Sequence, residues 1–283
     1  MSETPQLNSG FLIGTIVSIV FVFLYPLVLA VVAHWRLYVG WRYVGYGAIV
    51  FFVFQMVTRV PAVQLIQATI APQLKAAPAL TWTWLVVLAL SAGVFEEVGR
   101  YIGYRLFMRH EDKTWSKAVM YGIGHGGLES AVLVGGLMLV GLINVWAMVN
   151  GGFNQVPDDQ RATALQQLHT IDAQPGWTAL LGAWERLCTI PVQIALSVVV
   201  LQVFRRGRLI WLYLAVLGHA FVDLTAVGLQ QLLGPSINSS LAIEGVIGVF
   251  GLAAVWIIWR LRDRPVQVHS SSAGPLAREL VAA

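Results

Sequence analysis

The stretch LTWTWLVVLALSAGVFEEVGRYIGYRLFM (residues 80–108) is a long apolar run that takes in Glu96, Glu97 and Arg100 past its midpoint. About 20 apolar residues in helical conformation span the roughly 30 Å of a bilayer's hydrocarbon core, so a run of this length reads as a membrane-crossing helix. Similar runs lie at 11–33, 43–67, 117–149, 178–204, 208–233 and 240–261. Seven spans result, the fourth long enough to tilt or break. The predicted fold class is therefore all-α integral membrane, a bundle of about seven transmembrane helices.

Composition agrees. Of 283 residues, 57% are hydrophobic and only 11% charged, with a mean hydropathy of +0.71. An ordinary soluble domain carries roughly a quarter of its residues charged, so that class is excluded. The first ten residues contain no Lys or Arg, and the run after them is too long for the apolar part of a signal peptide, so it reads as a retained anchor.

Lys and Arg fall in alternate connections: Arg36 and Arg42, then Arg105, Arg109, Lys113 and Lys117, then Arg205, Arg206 and Arg208, then Arg260, Arg262 and Arg264. The other connections hold only Lys75 and Arg161. By the positive-inside rule the N-terminus is outside and the C-terminus cytoplasmic, which for a bacterial chain means the plasma membrane. The pI near 9.4 follows from these flanks, so it signals topology and lipid contact and no nucleic acid. A single cysteine, Cys188, permits no internal disulfide.

The chain divides into an external N-terminal segment (1–10), a polytopic membrane domain (11–262) and a cytoplasmic tail (263–283) expected to be disordered. The long external connection, 151–177, contains Ala162, Leu165, Leu168 and Ile171 at near-helical spacing. It reads as a short helix on the membrane surface, with Asp158 as its N-cap.

An ionisable residue near the centre of a span costs at least a few kcal/mol on insertion scales, so each is a functional candidate. The set is Arg59, Glu96, Glu97, Arg100, Glu129, Glu185, Arg186, Asp223 and Glu244, with His125 and His219 beside them. Depth sorts them. At about 1.5 Å per residue from the basic ends of their spans, Glu96 and Glu97 lie roughly 15 Å in, His125 about 12 Å and His219 about 16 Å. Asp223 and Glu129 follow the two histidines at i+4, on the same faces, and Arg100 can neutralise one of the glutamates.

Two histidines, an adjacent glutamate pair and further carboxylates suit a divalent metal of zinc type, which takes His nitrogen and carboxylate oxygen and keeps one position for water. A carboxylate that is not a ligand can take the proton from that water. Glycines 122, 124, 126 and 127 around His125 allow close approach of a helix or of an extended substrate. Neither His-Glu-x-x-His nor Gly-x-Ser-x-Gly occurs, which weakens nucleophilic catalysis. Bland readings stand beside these: a buried ion pair for Glu96, Glu97 and Arg100, a packing role for either histidine, and a supporting or helix-linking role for Glu129. Arg59, Glu185 and Arg186 read as a structural ion-pair network, and Glu244 as a residue near water.

The segments Phe95-Glu96-Glu97-Val98-Gly99-Arg100-Tyr101, Gly124-His125-Gly126-Gly127-Leu128-Glu129 and Gly218-His219-Ala220-Phe221-Val222-Asp223 resemble the YhfC family of intramembrane metalloproteases. They are more distantly similar to the type II CAAX prenyl endopeptidase (Abi) superfamily. The resemblance spans nearly the whole membrane domain and implies that Glu96, His125, His219 and Asp223 form the catalytic centre, with Glu97 and Arg100 orienting or neutralising. The chain departs from the CAAX pattern in its Glu-Glu-x-x-Arg spacing, in Asp223 where asparagine is frequent, and in Gln193 where a further histidine often lies. A prenylated substrate is therefore not implied. The expected function is a metal-dependent peptidase acting on a membrane protein or lipidated peptide near the cytoplasmic side, with Glu96 activating water and Zn²⁺ as cofactor. The same residues would serve a proton- or ion-coupled transporter, which predicts inverted repeats and interrupted helices, or a non-catalytic membrane scaffold.

Overall fold

The computed structural model describes residues 8–263. Within them seven helices are long and apolar enough to cross a membrane, close to the boundaries expected from the apolar runs. They are α1 (Ser9–Leu37), α2 (Arg42–Ala76), α3 (Pro78–Phe107) and α4 (Trp115–Val149), followed after an intervening short helix, α5 (Asp158–Asp172), by α6 (Leu181–Arg206), α7 (Ile210–Leu233) and α8 (Ile237–Arg260). The expected N-terminal segment 1–10 and tail 263–283 lie outside the described residues, except for their inner ends. At one of those ends Asp263 accepts a hydrogen bond from the Trp115 backbone N–H at 3.2 Å and pairs with Arg205.

Local chemistry sets the ends. The Asn8 side chain accepts hydrogen bonds from the Gly10 and Phe11 N–H groups at 2.9 and 3.4 Å, satisfying two donors that the first turn of α1 leaves open. Pro78 starts α3 where its missing N–H has no helical partner to lose. Gly207, in the left-handed region at φ 65°, ends α6. In α5 the expectation of an Asp158 N-cap is corrected: Pro157 holds the capping position with extended backbone, and Asp158 is the first helical residue. Its carboxylate pairs with Arg161 at 2.7 Å.

Two spans are not uniform α-helix. The fourth, expected to tilt or break, passes through a π-helical stretch at Ser130–Gly135, and the second through one at Phe52–Arg59. A π turn keeps its backbone hydrogen bonds while shifting the side chains that follow, and such turns concentrate at functional sites. Both stretches flank the ionisable cluster described below.

The fifth span is the axis of the bundle. Its Ile190, Ile194, Val198, Val200 and Leu201 are buried, against α1, α4, α7 and α8. The outer helices turn Leu27, Leu137, Val249, Leu252 and Trp259 outward, the apolar exterior that lipid requires. Association inside a bilayer depends on close packing, since lipid is as apolar as leucine. Helices α2 and α4 meet where a Cβ on Gly124 would stand 1.9 Å from the Val44 carbonyl oxygen and one on Gly47 1.9 Å from that of Tyr121. Only glycine permits that approach.

Candidate active site

The glutamate pair sits on α3, one turn beyond Gly93. A Cβ there would come within 2.5 Å of the Val216 carbonyl oxygen, so the missing side chain lets α7 close onto α3 and brings His219 to the carboxylates. On the other flank α4 carries His125. Glu96 Oε2 lies 2.9 Å from His125 Nε2, and Glu96 Oε1 lies 3.9 Å from His219 Nε2. Glu97 Oε1 lies 2.7 Å from His219 Nδ1 and also accepts from Arg100. All five side chains are buried, with Glu97, Arg100 and His125 at 0% exposure. Counted along the helices from their basic ends, Glu96, His125 and His219 stand at about 14–17 Å, the common depth that the spacing requires.

Arg100 is the counter-charge. It pairs with Glu97, stands 3.6 Å from Glu96 and donates to the Gln193 side-chain oxygen. Gln193 in turn donates from Nε2 to Glu129 Oε2 at 2.5 Å, and Glu129 pairs with Arg186 at 3.1 Å. Through Gln193, Glu129 joins α4 to α6 and to the Arg100 pair. Arg186 also binds Glu185. The expected ion-pair network of Arg59, Glu185 and Arg186 is therefore half corrected. Arg59 donates instead to Ser91 Oγ at 3.1 Å, to the Leu88 carbonyl at 2.6 Å and to Gln55 Oε1 at 3.3 Å. The π stretch of α2 turns this arginine toward α3, away from α6.

Gln55 is the site residue that sequence reasoning passed over. It is 5% exposed, and its Nε2 donates to Glu96 Oε1 at 2.8 Å. The available signal was an amide in an apolar span four residues before Arg59. Glu244, expected near water, has its Oε2 buried without a partner among the described residues.

Asp223 lies one helical turn beyond His219, with its Oδ2 3.6 Å from His219 Nε2. Unlike the other members it is 39% exposed, because it borders a cavity of about 100 Å³ that also touches His219, Gln193, Glu129, Glu185 and Arg186. That volume has room for several water molecules, and its walls offer the polar partners that water needs. The four glycines around His125 are all occupied by neighbouring helices: Gly124 by α2, Gly122 and Gly126 by α6, and Gly127 by Pro26 of α1. Of the helix and the extended substrate that they were read as admitting, they admit the helix.

The arrangement holds each histidine in a defined way. His219 Nδ1 is engaged by the Glu97 carboxylate, which leaves Nε2 directed between Glu96, Asp223 and the cavity. Nothing comparable holds His125 Nδ1, which is buried without a partner among the described residues. In the same set, no three His, Cys, Asp or Glu side chains surround a point at metal-ligating distances. The carboxylates and imidazoles contact one another instead.

The sequence model of the YhfC intramembrane metalloprotease family matches residues 21–247. The chain belongs to that family. A relative, the uncharacterized membrane protein YhfC of Bacillus subtilis (strain 168), is 36% identical over 184 residues, covering 62% of this chain and 67% of the relative. No solved structure matches significantly. The matched region takes in Glu96, Glu97, His125, His219 and Asp223, and with the seven apolar helices it makes the chain a multi-pass membrane protein.

Proposed function

We propose that this chain is a metal-dependent intramembrane peptidase whose centre is Glu96, His125, His219 and Asp223. The observation that carries the reading is the convergence of Glu96, His125 and His219 from three helices, at 2.9 and 3.9 Å, beside a polar cavity inside an otherwise apolar bundle. A cluster of this kind is expensive in a membrane, and an ion pair alone would not need two histidines and water at its edge.

The donor set suits zinc in its chemistry. Imidazole nitrogen and carboxylate oxygen are its ligands. His219 Nε2 faces an Asp223 oxygen at 3.6 Å, too far for a hydrogen bond, and His125 Nδ1 is buried without a partner among the described residues. His125, His219 and Asp223 would hold the ion, which leaves the Glu96 carboxylate free to act on the water. When bound, it supplies Lewis acidity toward water and the peptide carbonyl.

The chain's own residues do the rest. Glu96 accepts the proton of the attacking water at a carboxylate oxygen and passes it to the leaving amine nitrogen. Gln55 and His125 hold that carboxylate by its two oxygens. Glu97 fixes the His219 ring through Nδ1, and Arg100 neutralises Glu97. The substrate is a membrane protein or lipidated peptide, cut on the side of the membrane facing the basic loops, which positive-inside topology makes cytoplasmic.

The test is metal content and cleavage of a membrane-peptide library by detergent-purified protein. The wild type should carry about one zinc per chain, His219→Ala should lose it, and Glu96→Gln should cleave about 10²- to 10⁴-fold more slowly with its fold intact. A folded wild type that neither retains nor responds to metal, or a Glu96→Gln variant of undiminished activity, would overturn the proposal.

A further inference from the structure

A second cavity, of about 470 Å³, lies between α1, α4 and α6 at the bundle end opposite the basic loops. Its walls are mostly apolar, among them Phe11, Met138, Leu142 and Val145, and Ile171 of α5 closes one side. The volume is within the roughly 300–1,000 Å³ of ordinary ligand pockets, which pair apolar walls with a few placed polar groups. Its polar group of consequence is Glu185. The same residue lines the small cavity that runs past Arg186, Glu129 and Gln193 to His219 and Asp223.

Resting on the peptidase reading, we propose that this cavity is a specificity pocket for a large apolar side chain of the substrate peptide, a few residues from the bond that is cut. Two features select a peptide over a lipid chain. The small cavity between pocket and site is lined by the carboxylates of Glu185, Glu129 and Asp223 with Arg186 as its cation. Such a lining repels a phosphate headgroup and offers acceptors to backbone N–H donors. Glu185 lines both the pocket and the small cavity beside the candidate site, a junction that a stored lipid would have no use for. From Glu185 to Gln193 is eight residues of helix, about 12 Å, a distance that about four residues of extended peptide cover. The pocket's near edge therefore lies about four residues from the site, and Met138, 13 residues of helix beyond His125 and so about 20 Å away, sets the apolar anchor about six residues from the scissile bond.

Gly141 gives a clean probe, because a Cβ added there meets nothing within 4 Å. Gly141→Phe fills the pocket without a backbone clash, and Val145→Trp fills it from the same helix. The substrate probe is a synthetic single-span peptide carrying a diazirine analogue of leucine at successive positions, added to the full-length protein in nanodiscs. Crosslinks should reach Met138, Leu142 or Val145 from positions about six or more residues from the cleaved bond. Both variants should lower that yield and raise KM by about tenfold or more with kcat unchanged. Cavity crosslinks in a wild type that cleaves nothing would refute the peptidase reading while leaving the pocket assigned. Cleavage without cavity crosslinks, or a KM indifferent to both variants, would overturn the pocket. So would native mass spectrometry in which the variants displace a co-purified phospholipid while peptide crosslinking is unchanged.

Discussion

Replacing Arg100 by methionine removes the single guanidinium facing two buried carboxylates while keeping most of the side-chain volume. In the wild type Arg100 is wholly buried, pairs with Glu97, lies 3.6 Å from Glu96 and binds Gln193. After the substitution Glu97, itself 0% exposed, keeps only His219 Nδ1 at 2.7 Å, and Gln193 loses the donor to its oxygen. Breaking a buried pair from one side costs about 3–5 kcal/mol, most of it the uncompensated charge left behind. Adding Glu97→Gln removes that charge, so the double variant should be more stable than Arg100→Met alone, with a coupling of about 0.5–3 kcal/mol. Equilibrium unfolding in mixed micelles, followed by tryptophan fluorescence, measures both. An Arg100→Met variant within about 1 kcal/mol of wild type, or a double variant as unstable as the sum of the singles, would refute the account of Arg100 as the counter-charge of the site.

Gly124→Ala should destabilise the bundle by about 1–3 kcal/mol or more, since the new methyl meets the Val44 backbone at 1.9 Å and α2 must move away. Because His125 is the next residue, crosslinking between cysteines placed on α2 and α4 should fall along with activity. Outside the spans, Glu111 accepts from Tyr43 and from Lys117 at 3.1 Å and pairs with Arg42 at 3.0 Å. The Tyr43 hydrogen bond, with Lys117 and Arg42 behind it, holds its carboxyl below the ordinary 4.5. A group depressed in the folded state contributes stability that is present above 4.5 and lost as pH falls through the lower folded value. Glu111→Gln should therefore flatten the acid limb of a stability–pH curve below about pH 4.5 and leave the neutral region parallel to wild type.

The seven spans were legible because lipid imposes one requirement, length of apolar helix, on every segment. The depths of Glu96, His125 and His219 were legible for a related reason: a fixed rise per residue turns sequence position into height. Facing was harder. Whether Arg59 turns toward α3 or α6 depends on the π stretch at Phe52–Arg59; Pro61 just beyond it marks a disturbed helix without saying which way the side chains turn. Gln55 escaped notice because an amide carries no charge to mark it. The bridge from Arg100 through Gln193 to Glu129 joins three separate spans, and no local pattern encodes such a meeting. At Pro157, proline's fixed φ took the capping position that Asp158 had been expected to fill.

The central position of α6 bears on how the protein is made. Arg186 and Glu129 occupy different spans; Arg186 has Glu185 as a partner on its own helix, whereas Glu129 taken alone into lipid would carry an uncompensated charge costing about 2–3 kcal/mol or more. Their ion pair at 3.1 Å can form only after both segments have left the ribosome. The fourth helix should therefore linger beside the insertion machinery until its partner emerges, so that α4 and α6 partition into the bilayer as one ion-paired hairpin.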